Sequence, residues 1–386
     1  MKRVAVDLIP LQSQCRTRGI GRYTRGLIEA LARSVPSDVL LEGLAYPTLM
    51  PADGMTAGIS VRVLPDSGSS SGRWDRDAFE RAVRAGGYDA AIVTSPQESH
   101  IVAPLPCPTI GVLYDLIPEA VSDPLYGAGR FRDAYWRYQT AYPSYQQIWT
   151  LSEHTGNDLA ERRPGAQSLY TIIRHIGSGV DRTWFNPDSD TAGDAGLRAK
   201  CHASVPYVLA VLGEDERKGM LRLVRAMGRI RPRPRLIGAY RATRRHREEA
   251  CELAAGLGVE LVMTNEVSER TLRALYRGAL LLAFPSTYEG FGLPALEAIA
   301  CGTPVVGDEA TSLPEVIGEA GVTCDSRNVG ALAAAIFQVL GKPRESWRDA
   351  MAEQLDRHDW NRVGERAEFA LCDLLTGGSV TCQPSL

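Results

Sequence analysis

Two carboxylates flank a glycine-containing turn in the second half of the chain, and together they could bind a charged, hydroxylated ligand. Glu289 and Glu297 are separated by seven residues, and Gly290 and Gly292 follow the first of them. Glycine lets a backbone approach a ligand closely, and free N–H groups from Phe291 onward, at the start of a predicted helix, favour an anion. This combination suits a ligand with phosphates and hydroxyls, such as a nucleotide sugar. The alternative is a capped strand-to-helix turn that binds nothing.

Basic residues form a second group that could do chemistry. Arg217 and Lys218 stand side by side in a loop after a predicted strand, where they could pair with a diphosphate. A solvated loop is the alternative. Gly19 and Gly21 form a Gly-x-Gly turn near the N-terminus, which is a weak signal by itself because many turns need glycine.

The sequence lacks the usual pattern of a divalent-metal site. No Asp-x-Asp pair stands beside a predicted strand; Asp188 and Asp190 lie in a linker-like stretch. Because Arg217, Lys218 and a helix N-terminus can neutralise a diphosphate, we predict no metal and no cofactor.

Arginines crowd the first loop and helix, at positions 16, 18, 22 and 25. Such a cluster cannot all be buried without partners, so we expect Arg18 and Arg22 to meet a phosphate or an anionic membrane face. An aromatic-rich stretch at residues 126–149, interleaved with arginines, has two interpretations: rings that stack on sugars, or rings buried in a helix interface.

The composition excludes several classes of protein. With 386 residues, 44% apolar residues and a formal net charge of -3, the chain is typical of a globular protein with two domains. Neither half has the basic excess of a nucleic-acid binder. No run approaches the ~20 apolar residues of a membrane span, and no secretory leader is recognisable. The eight cysteines are scattered without a Cys-x-x-Cys pair, which favours reduced thiols and a cytoplasmic protein.

Short apolar runs alternate with stretches of helical period, which is typical of βαβ units and parallel sheets. We predict strands at residues 4–8, 90–94, 109–113, 147–151, 207–212, 235–238, 259–263, 279–284 and 304–307. We predict helices at residues 23–32, 218–229, 244–256, 269–278, 293–301, 330–340 and 362–375. Periodicity lapses at residues 187–204, where we expect the domain boundary.

These elements predict an α/β protein with two doubly wound, Rossmann-like domains that face each other across a cleft, the natural place for a ligand. The expected division is an N-terminal domain at residues 1–190 and a C-terminal domain at residues 191–360. Residues 361–386 would form a C-terminal helix that crosses back to the N-terminal domain, followed by a tail.

Six groups of segments, in the right order, resemble motifs of glycosyltransferase family 4, whose members are retaining enzymes of GT-B fold. They are Gly19-Ile-Gly21-Arg-Tyr-Thr, Asp115-Leu-Ile-Pro118 with Leu151-Ser-Glu-His-Thr, Gly177-Ser-Gly-Val-Asp181, Gly213-Glu-Asp-Glu-Arg217-Lys218-Gly, the E-x7-E segment from Glu289 to Glu297, and Ser312-Leu-Pro-Glu-Val316. The likeness extends over most of the chain and is greatest to the mannosyl-transferring members.

The resemblance implies a role for each matched position. Glu289 would contact the donor sugar near its reacting face, and Glu297 would accept hydrogen bonds from ribose hydroxyls. Arg217 and Lys218 would pair with the diphosphate and stabilise the charge that grows on it. The other implied donor-binding residues are Gly19, Gly21, Gly290, Phe291, Gly292, Leu293 and the backbone near Val267. The N-terminal domain would then bind the acceptor, and the C-terminal domain the nucleotide sugar.

On the acceptor side the chain departs from the family pattern. Many members have His-Asp where this chain has Tyr114-Asp115, and a tyrosine is a poor base near neutral pH. The phosphate loop reads Arg-Lys-Gly where Arg-Lys-Asn is common. The expected acceptor-side residues are Arg18, Arg22, Tyr114, Asp115 and His154, with a structural or solvent role as the alternative for His154.

The resemblance therefore implies a retaining, metal-independent glycosyltransferase. It would move a sugar, mannose in the members it most resembles, from a GDP- or UDP-linked donor to a glycan, lipid-linked or small-molecule acceptor. The alternatives are a nucleotide-sugar epimerase or hydrolase of the same fold, and a non-catalytic sugar-binding protein. We expect no nucleic-acid partner, and a cytoplasmic protein with a peripheral contact at the inner membrane face. The nucleobase, the acceptor and the linkage stay open.

Overall fold

The computed structural model describes residues 1–47, 49, 58–65, 76–99, 101, 104–121, 142–163, 172–188 and 191–377. The chain divides into two compact units, which we call unit 1 and unit 2. Unit 1 comprises Met1–Pro118, Pro124–Gly179 and Asp359–Leu386, and unit 2 comprises Glu119–Asp123 and Val180–His358. Among the described residues, no helix combines the length and the apolar character needed to cross a bilayer.

Within its described residues, unit 1 forms a sheet of seven parallel strands in the order β3-β2-β1-β4-β5-β6-β7. The strands are β1 (Lys2–Asp7), β2 (Val39–Ala45), β3 (Ser60–Val63), β4 (Ala90–Val93), β5 (Thr109–Leu113), β6 (Gln147–Thr150) and β7 (Ile173–His175). The central strands β4, β5 and β6 are buried along their whole length, as expected of parallel strands in an α/β protein, which helices cover on both faces. The helices are α1 (Ile9–Gln12), α2 (Gly19–Ser34), α3 (Arg76–Gly86), α4 (Pro96–Ser99), α5 (Ile117–Ala120) and α6 (Glu153–Glu161).

The described part of unit 2 forms a sheet of six parallel strands in the order β10-β9-β8-β11-β12-β13. They are β8 (Tyr207–Ala210), β9 (Arg235–Gly238), β10 (Leu261–Met263), β11 (Leu281–Phe284), β12 (Val305–Asp308) and β13 (Gly321–Cys324). Its helices are α7 (Thr191–Lys200), α8 (Met220–Met227), α9 (Arg244–Gly256), α10 (Glu269–Gly278), α11 (Leu293–Ala300), α12 (Leu313–Ile317), α13 (Val329–Leu340) and α14 (Arg348–Arg357). Strands β8, β11 and β12 are fully buried, so the apolar runs seen in the sequence are the centre of this sheet.

The last helix, α15 (Trp360–Leu375), packs against α2 inside unit 1. Two glycines of α2 and α15 make this close approach possible. A Cβ added at Gly364 would come within 2.7 Å of the Ala30 carbonyl oxygen, and one added at Gly26 would come within 2.1 Å of the Trp360 ring. The predicted helix at residues 362–375 is thus confirmed as an element, and its packing depends on small residues at the interface.

Residues 187–204, where the periodicity lapses, contain a helix that the sequence did not predict: α7 occupies Thr191–Lys200. Asp194 on this helix forms an ion pair of 3.0 Å with Arg277 on α10, and both side chains are almost completely buried. The helix could not be predicted from the sequence, because its two glycines and few apolar residues give only a weak 3.6-residue period of hydrophobicity. The helix is held by this long-range contact with α10.

Three of the four strands that the sequence did not predict lie at the edges of the two sheets. Strand β3 is largely exposed, and β7 and β13 are half-buried, so none of them carries a long apolar run. Strand β2 and helices α3, α6 and α14 were also not predicted. Apolar periodicity marks the strands that are covered on both faces, and an edge strand gives a weaker signal.

The aromatic-rich stretch falls partly outside the described residues, which exclude 122–141. In its described part, Tyr142, Tyr145 and Trp149 are buried, and the rings of Tyr142 and Tyr145 meet edge to face with centroids 5.8 Å apart. For these three rings the structure favours burial in the core over a sugar-stacking surface.

Gly26→Ala is expected to lower the free energy of unfolding by roughly 1–3 kcal/mol, because the added methyl group overpacks the contact with Trp360. This sign is the reverse of the normal one, since alanine in a helix interior is ~1 kcal/mol more favourable than glycine. Urea-induced unfolding of both proteins measures the difference.

Gly196→Ala is the matched control, because a Cβ on this residue of α7 would meet no described atom within 4 Å. Here we expect the free energy of unfolding to rise by about 0.5–1 kcal/mol. Equal stabilisation by the two substitutions would show that Trp360 does not press on Gly26.

Candidate active site

The candidate site lies at the carboxyl edge of the unit 2 sheet. Three loops leave the carboxyl ends of neighbouring strands there: residues 211–219 after β8, residues 285–292 after β11 and residues 309–312 after β12. Strand β11 pairs with both β8 and β12. Because the strands are parallel, these loops meet at one edge, the usual ligand position in an open α/β sheet.

Glu289, Arg217 and Lys218 form one charged cluster at this edge. Lys218 Nζ donates to Glu289 Oε1 at 2.5 Å, and Arg217 Nη1 donates to the same oxygen at 3.1 Å. Arg217 Nη1 also donates to the Tyr288 carbonyl oxygen at 2.7 Å, and its Nε lies 3.3 Å from Asp215 Oδ2. The structure therefore brings together the three residues for which the sequence predicted a catalytic role.

Opposing effects act on the Glu289 carboxylate. Burial raises its pKa, but the charges of Lys218 and Arg217 and the hydrogen bonds to it outweigh burial and hold the pKa below its ordinary value. The exposed fractions of the three side chains are only 12% for Glu289, 18% for Lys218 and 8% for Arg217. Glu289 is thus ionised at neutral pH. Without it Lys218 would lose its carboxylate partner in a largely buried place, and Arg217 would keep only Asp215.

Arg222, on the first turn of α8, connects the two loops that carry the cluster. Its Nη2 atom donates to the carbonyl oxygens of Arg217 at 3.2 Å and Pro285 at 3.1 Å. The Thr287 N–H also donates to the Arg217 carbonyl, at 2.9 Å. The backbone of loop 211–219, which carries Arg217 and Lys218, is therefore hydrogen-bonded to loop 285–292, which carries Glu289, and to Arg222.

Gly219 explains why the chain can depart from the common Arg-Lys-Asn pattern. Its φ of 78° lies in the left-handed region, which glycine adopts freely and asparagine tolerates better than other residues. A Cβ here would approach the Pro285 carbonyl oxygen to 2.7 Å. Glycine therefore preserves the turn that places Lys218 and allows the loops to lie close together.

The start of α11 is shaped by Gly292, which caps the helix with a φ of 101°. A Cβ at this position would come within 2.6 Å of the Leu313 side chain, so only glycine fits. Ser312 Oγ lies 3.0 Å from the Glu289 carbonyl oxygen and 2.9 Å from that of Phe291. Gly290 is buried in the same turn. Loop 285–292 is thus held from both sides, and the first N–H groups of α11 follow it directly.

Glu297 lies on the second turn of α11 and has a different environment from Glu289. The residue is only 3% exposed, and one of its carboxylate oxygens accepts a hydrogen bond of 3.1 Å from the Tyr276 hydroxyl on α10. The seven-residue spacing therefore places one carboxylate in the loop with the cations and the other on the helix beside a tyrosine.

Val267 and Leu293 lie at the starts of two helices of unit 2. Val267 is half-buried and directly precedes Ser268, the N-cap residue of α10, whose hydroxyl accepts from the Thr271 N–H at 3.2 Å. Leu293 is half-buried and is the first residue of α11. Both belong to loops or helix starts at the carboxyl edge of the unit 2 sheet.

In unit 1 the structure gives the Gly-x-Gly turn a local reason. Gly19 and Gly21 open α2, and a Cβ at Gly21 would come within 2.4 Å of the Arg16 backbone. The Gly21 N–H donates to the Cys15 carbonyl at 3.2 Å. Gly21 is required because the preceding loop folds back over the first turn of the helix. Its place in a phosphate site stays a prediction.

Tyr114 is held inside unit 1 by its own hydroxyl group. This hydroxyl lies 3.0 Å from Thr24 Oγ1 and donates to the Thr94 carbonyl at 3.0 Å, and its ring meets Tyr23 edge to face at 5.4 Å. Burial raises the pKa of Tyr114 well above its ordinary value. The tyrosine hydroxyl therefore has a structural role. Since its raised pKa keeps it protonated at neutral pH, Tyr114 is unsuited to act as a base.

The remaining acceptor-side residues are spread over three elements of unit 1. Arg18 is exposed at the N-cap position of α2, and Arg22 is half-buried on its first turn. Asp115 accepts from the Ile117 N–H at 3.0 Å and so shapes the turn before α5. His154 is on the first turn of α6, where burial lowers its pKa. It is therefore neutral at neutral pH.

Comparison with known proteins finds a family match within unit 2. Residues 206–342 match the family described as glycosyl transferases group 1. These residues form a glycosyl transferases group 1 domain. The two parallel sheets and the similar solved structures show the GT-B fold, so the predicted fold class is confirmed.

Two relatives and one solved structure illustrate the similarity. The serotype-specific mannosyltransferase WbdA of Escherichia coli is 25% identical over 94% of this chain and 44% of its own length. A GDP-mannose-dependent alpha-(1-6)-phosphatidylinositol monomannoside mannosyltransferase of Mycolicibacterium smegmatis is 30% identical over 53% of this chain and 56% of its own. Sucrose-phosphate synthase of Thermosynechococcus elongatus superposes with a TM-score of 0.74 at 20% identity, covering 98% of this chain and 100% of that one. The chain spans less than half the length of the first curated relatives that it matches.

Several residues of the group 1 domain support the site although sequence reasoning missed them. Besides Asp215 and Arg222, Thr311 Oγ1 accepts from the Glu289 N–H at 3.1 Å. The Ser326 N–H donates to Asp308 at 3.0 Å, and Ser326 Oγ lies 3.1 Å from the Pro285 carbonyl oxygen. Their sequence signal is weak: Asp215, Thr311 and Ser326 lie in loops after β8, β12 and β13, Asp308 ends β12, and Arg222 is on the first turn of α8. Within the described residues, no cluster of His, Cys, Asp and Glu could hold a metal ion.

The Lys218→Ala variant is expected to bind inorganic pyrophosphate about tenfold more weakly than the unmodified protein. The reason is the loss of the charge-assisted hydrogen bond from the lysine to the anion. Glu289→Gln is expected to bind it more tightly, because an incoming anion then no longer competes with the carboxylate for the two cations. Isothermal titration calorimetry measures both affinities.

Lys342→Ala, an exposed lysine of the same domain, controls for the loss of one positive charge and should leave the affinity unchanged. Weaker binding to Glu289→Gln would contradict the competition between the carboxylate and the anion.

Proposed function

We propose that the protein is a retaining, metal-independent glycosyltransferase that moves mannose from GDP-mannose to a carbohydrate-containing acceptor. The observation that carries the proposal is the buried cluster of Glu289, Arg217 and Lys218 at the carboxyl edge of a glycosyl transferases group 1 domain. Two cations and one carboxylate at this place suit a ligand with both a diphosphate and sugar hydroxyls.

Arg217 and Lys218 would act on the leaving group. As the bond between the anomeric carbon and the diphosphate breaks, negative charge increases on the diphosphate, and preorganised cations stabilise that charge more than they stabilise the ground state. Because Arg222 and the turn at Gly219 hold the backbone of both cations, little reorganisation is needed. In this proposal Glu289 then turns from its cations to a donor hydroxyl.

Glu297, the start of α11 and the backbone at Val267 would bind the nucleoside part. A carboxylate can accept from the two ribose hydroxyls, and Glu297 is already hydrogen-bonded to Tyr276, which fixes its side chain. The similarity to a relative described as GDP-mannose-dependent supports guanine and mannose; UDP-linked sugars are the alternative donors.

The acceptor would be bound by unit 1, with Arg18, Arg22, Asp115 and His154 as the contributing side chains. The neutral imidazole of His154 can accept a hydrogen bond from an acceptor hydroxyl. Tyr114 contributes structure, because its hydroxyl is already engaged. We extend the proposal to a glycan or lipid-linked acceptor and to peripheral contact of the arginine-rich start of α2 with an anionic membrane face. In this scheme residues 1–190 bind the acceptor and residues 191–360 the donor.

Two routes lead to retention. In front-face attack the departing phosphate and the incoming hydroxyl share one side of the sugar, and the diphosphate itself takes the proton. The other route is a short-lived covalent intermediate. The front-face route needs no histidine at position 114, so it agrees with a tyrosine there.

Glu297→Gln is expected to raise the KM for GDP-mannose by about tenfold while kcat stays within about threefold, because ribose contacts are similar in the ground and transition states. Glu260→Gln, an exposed glutamate of unit 2, should change neither constant. A large loss of kcat with an unchanged KM would contradict ribose binding by Glu297.

The reaction should proceed without added metal and give an α-linked product from α-linked GDP-mannose, read from the anomeric signals by NMR. Activity is expected to survive excess chelator, since protein cations neutralise the leaving group. A β-linked product, or activity lost to chelator and restored by a divalent ion, would overturn the mechanism. GDP release that is independent of acceptor would instead indicate a hydrolase.

A further inference from the structure

Unit 2 contains a cavity of about 770 Å³ far from the charged cluster. Its lining includes Gly278 and Ala300 at the ends of α10 and α11, and Gly302 just before β12. These positions precede strands β11 and β12, so the cavity lies at the amino edge of the sheet, opposite to the edge that carries Glu289.

The floor of the cavity is apolar. Phe185, Ile299 and Met351 are at most 5% exposed, and Leu355 and Pro187 complete the apolar part of the lining. A volume of this size is in the range of pockets that bind small organic molecules, which are usually apolar with a few charged groups at fixed places.

Arginines dominate the polar part of the lining, and two of them already have carboxylate partners. Arg277 pairs with Asp194 at 3.0 Å, and Arg182 with Asp356 at 3.5 Å. The Arg277–Asp194 pair is almost completely buried and holds the cavity wall together, whereas the Arg182–Asp356 pair is exposed.

Arg344 cancels the negative ends of two helices. It donates to the carbonyl oxygens of Arg277 at 2.6 Å and Cys301 at 2.7 Å, which lie at the C-termini of α10 and α11. Carbonyl ends of helices repel anions. With Arg344 bound to them, this edge of the sheet can accept a negative group.

The last two arginines of the cavity lining are Arg198 and Arg348. Neither side chain has an ion pair or hydrogen bond to any residue in the described part of the chain, while Asp188 and Glu345 are the acidic groups of the lining. Arg198 crosses Gly278 and Arg348 is exposed at the start of α14. Two arginines beside an apolar floor are the combination that recognises a phosphate on an apolar body.

We propose that this cavity is a second ligand site, which binds an amphipathic organic phosphate through Arg198 and Arg348 and through the apolar floor at Phe185, Ile299 and Met351. A bare inorganic anion would leave the floor in contact with water, and a neutral apolar molecule would desolvate the arginines without pairing them. A phosphate or diphosphate attached to a hydrocarbon satisfies both. The site is independent of the proposed transfer reaction.

Calorimetric titration with farnesyl diphosphate, pyrophosphate and farnesol tests the site. In the Lys218→Ala variant, where the candidate active site binds a diphosphate weakly, farnesyl diphosphate should bind at least about tenfold more tightly than either part alone, because each part satisfies only half of the lining. Arg198→Ala with Arg348→Ala should weaken it by tenfold or more, and the exposed Arg348→Ala alone, which leaves the packing intact, should weaken it severalfold. Arg225→Ala, an exposed arginine on α8, should change nothing.

The active-site variant Lys218→Ala separates this site from the candidate active site. Unchanged farnesyl diphosphate binding to Lys218→Ala supports the second site, and loss of binding there overturns it. Equal affinity of the double arginine variant and the unmodified protein also overturns it, as does failure of farnesyl diphosphate to bind. Arginine-dependent binding to phosphatidylglycerol vesicles would identify a membrane lipid as the source of the phosphate. Binding of dissolved farnesyl diphosphate without binding to the vesicles would identify a soluble source.

Discussion

The candidate site depends on one constraint: the ionised Glu289 carboxylate is buried and therefore needs the two cations beside it. Removing a carboxylate from water is costly unless opposite charges and hydrogen bonds replace the lost hydration. Lys218 and Arg217 supply both. Since the cations follow β8 and the carboxylate follows β11, the cluster forms only if these two strands pair. The electrostatics of the site and the order of the sheet therefore support each other.

In this arrangement the two cations can bind an anion, and in the absence of a ligand the Glu289 carboxylate is the anion that they bind. Glu289 keeps Arg217 and Lys218 in place while no ligand is bound, and an incoming diphosphate would take over its role. Such a device reduces the reorganisation needed at the moment of reaction. Gly219 and Gly292 are needed for this arrangement. Their φ values of 78° and 101° lie in the left-handed region and allow three loops to pack closely around the cluster.

The predicted residues of the two units have different surroundings. In unit 2 Glu289, Arg217 and Lys218 share hydrogen bonds, whereas Glu297 accepts from Tyr276. In unit 1 the contacts of Gly21 and Tyr114 have structural explanations: loop packing over the first turn of α2, and a hydroxyl bridge from α2 to the end of β4. The tyrosine at position 114 thus has a structural role in the core of unit 1.

The sequence by itself determined the central strands of both sheets, the start of α11 and the identity of the charged residues. Buried parallel strands leave continuous apolar runs, and the glycines, Pro294 and the seven-residue spacing act over one or two turns of chain. Only the tertiary structure decided that Glu297 meets Tyr276, that Arg222 connects the two loops, that α7 forms around the Asp194–Arg277 pair, and that arginines from distant segments line one cavity. These features depend on contacts between residues far apart in the chain. Local periodicity carries no information about them, because their free energy arises only when the sheet brings the segments together.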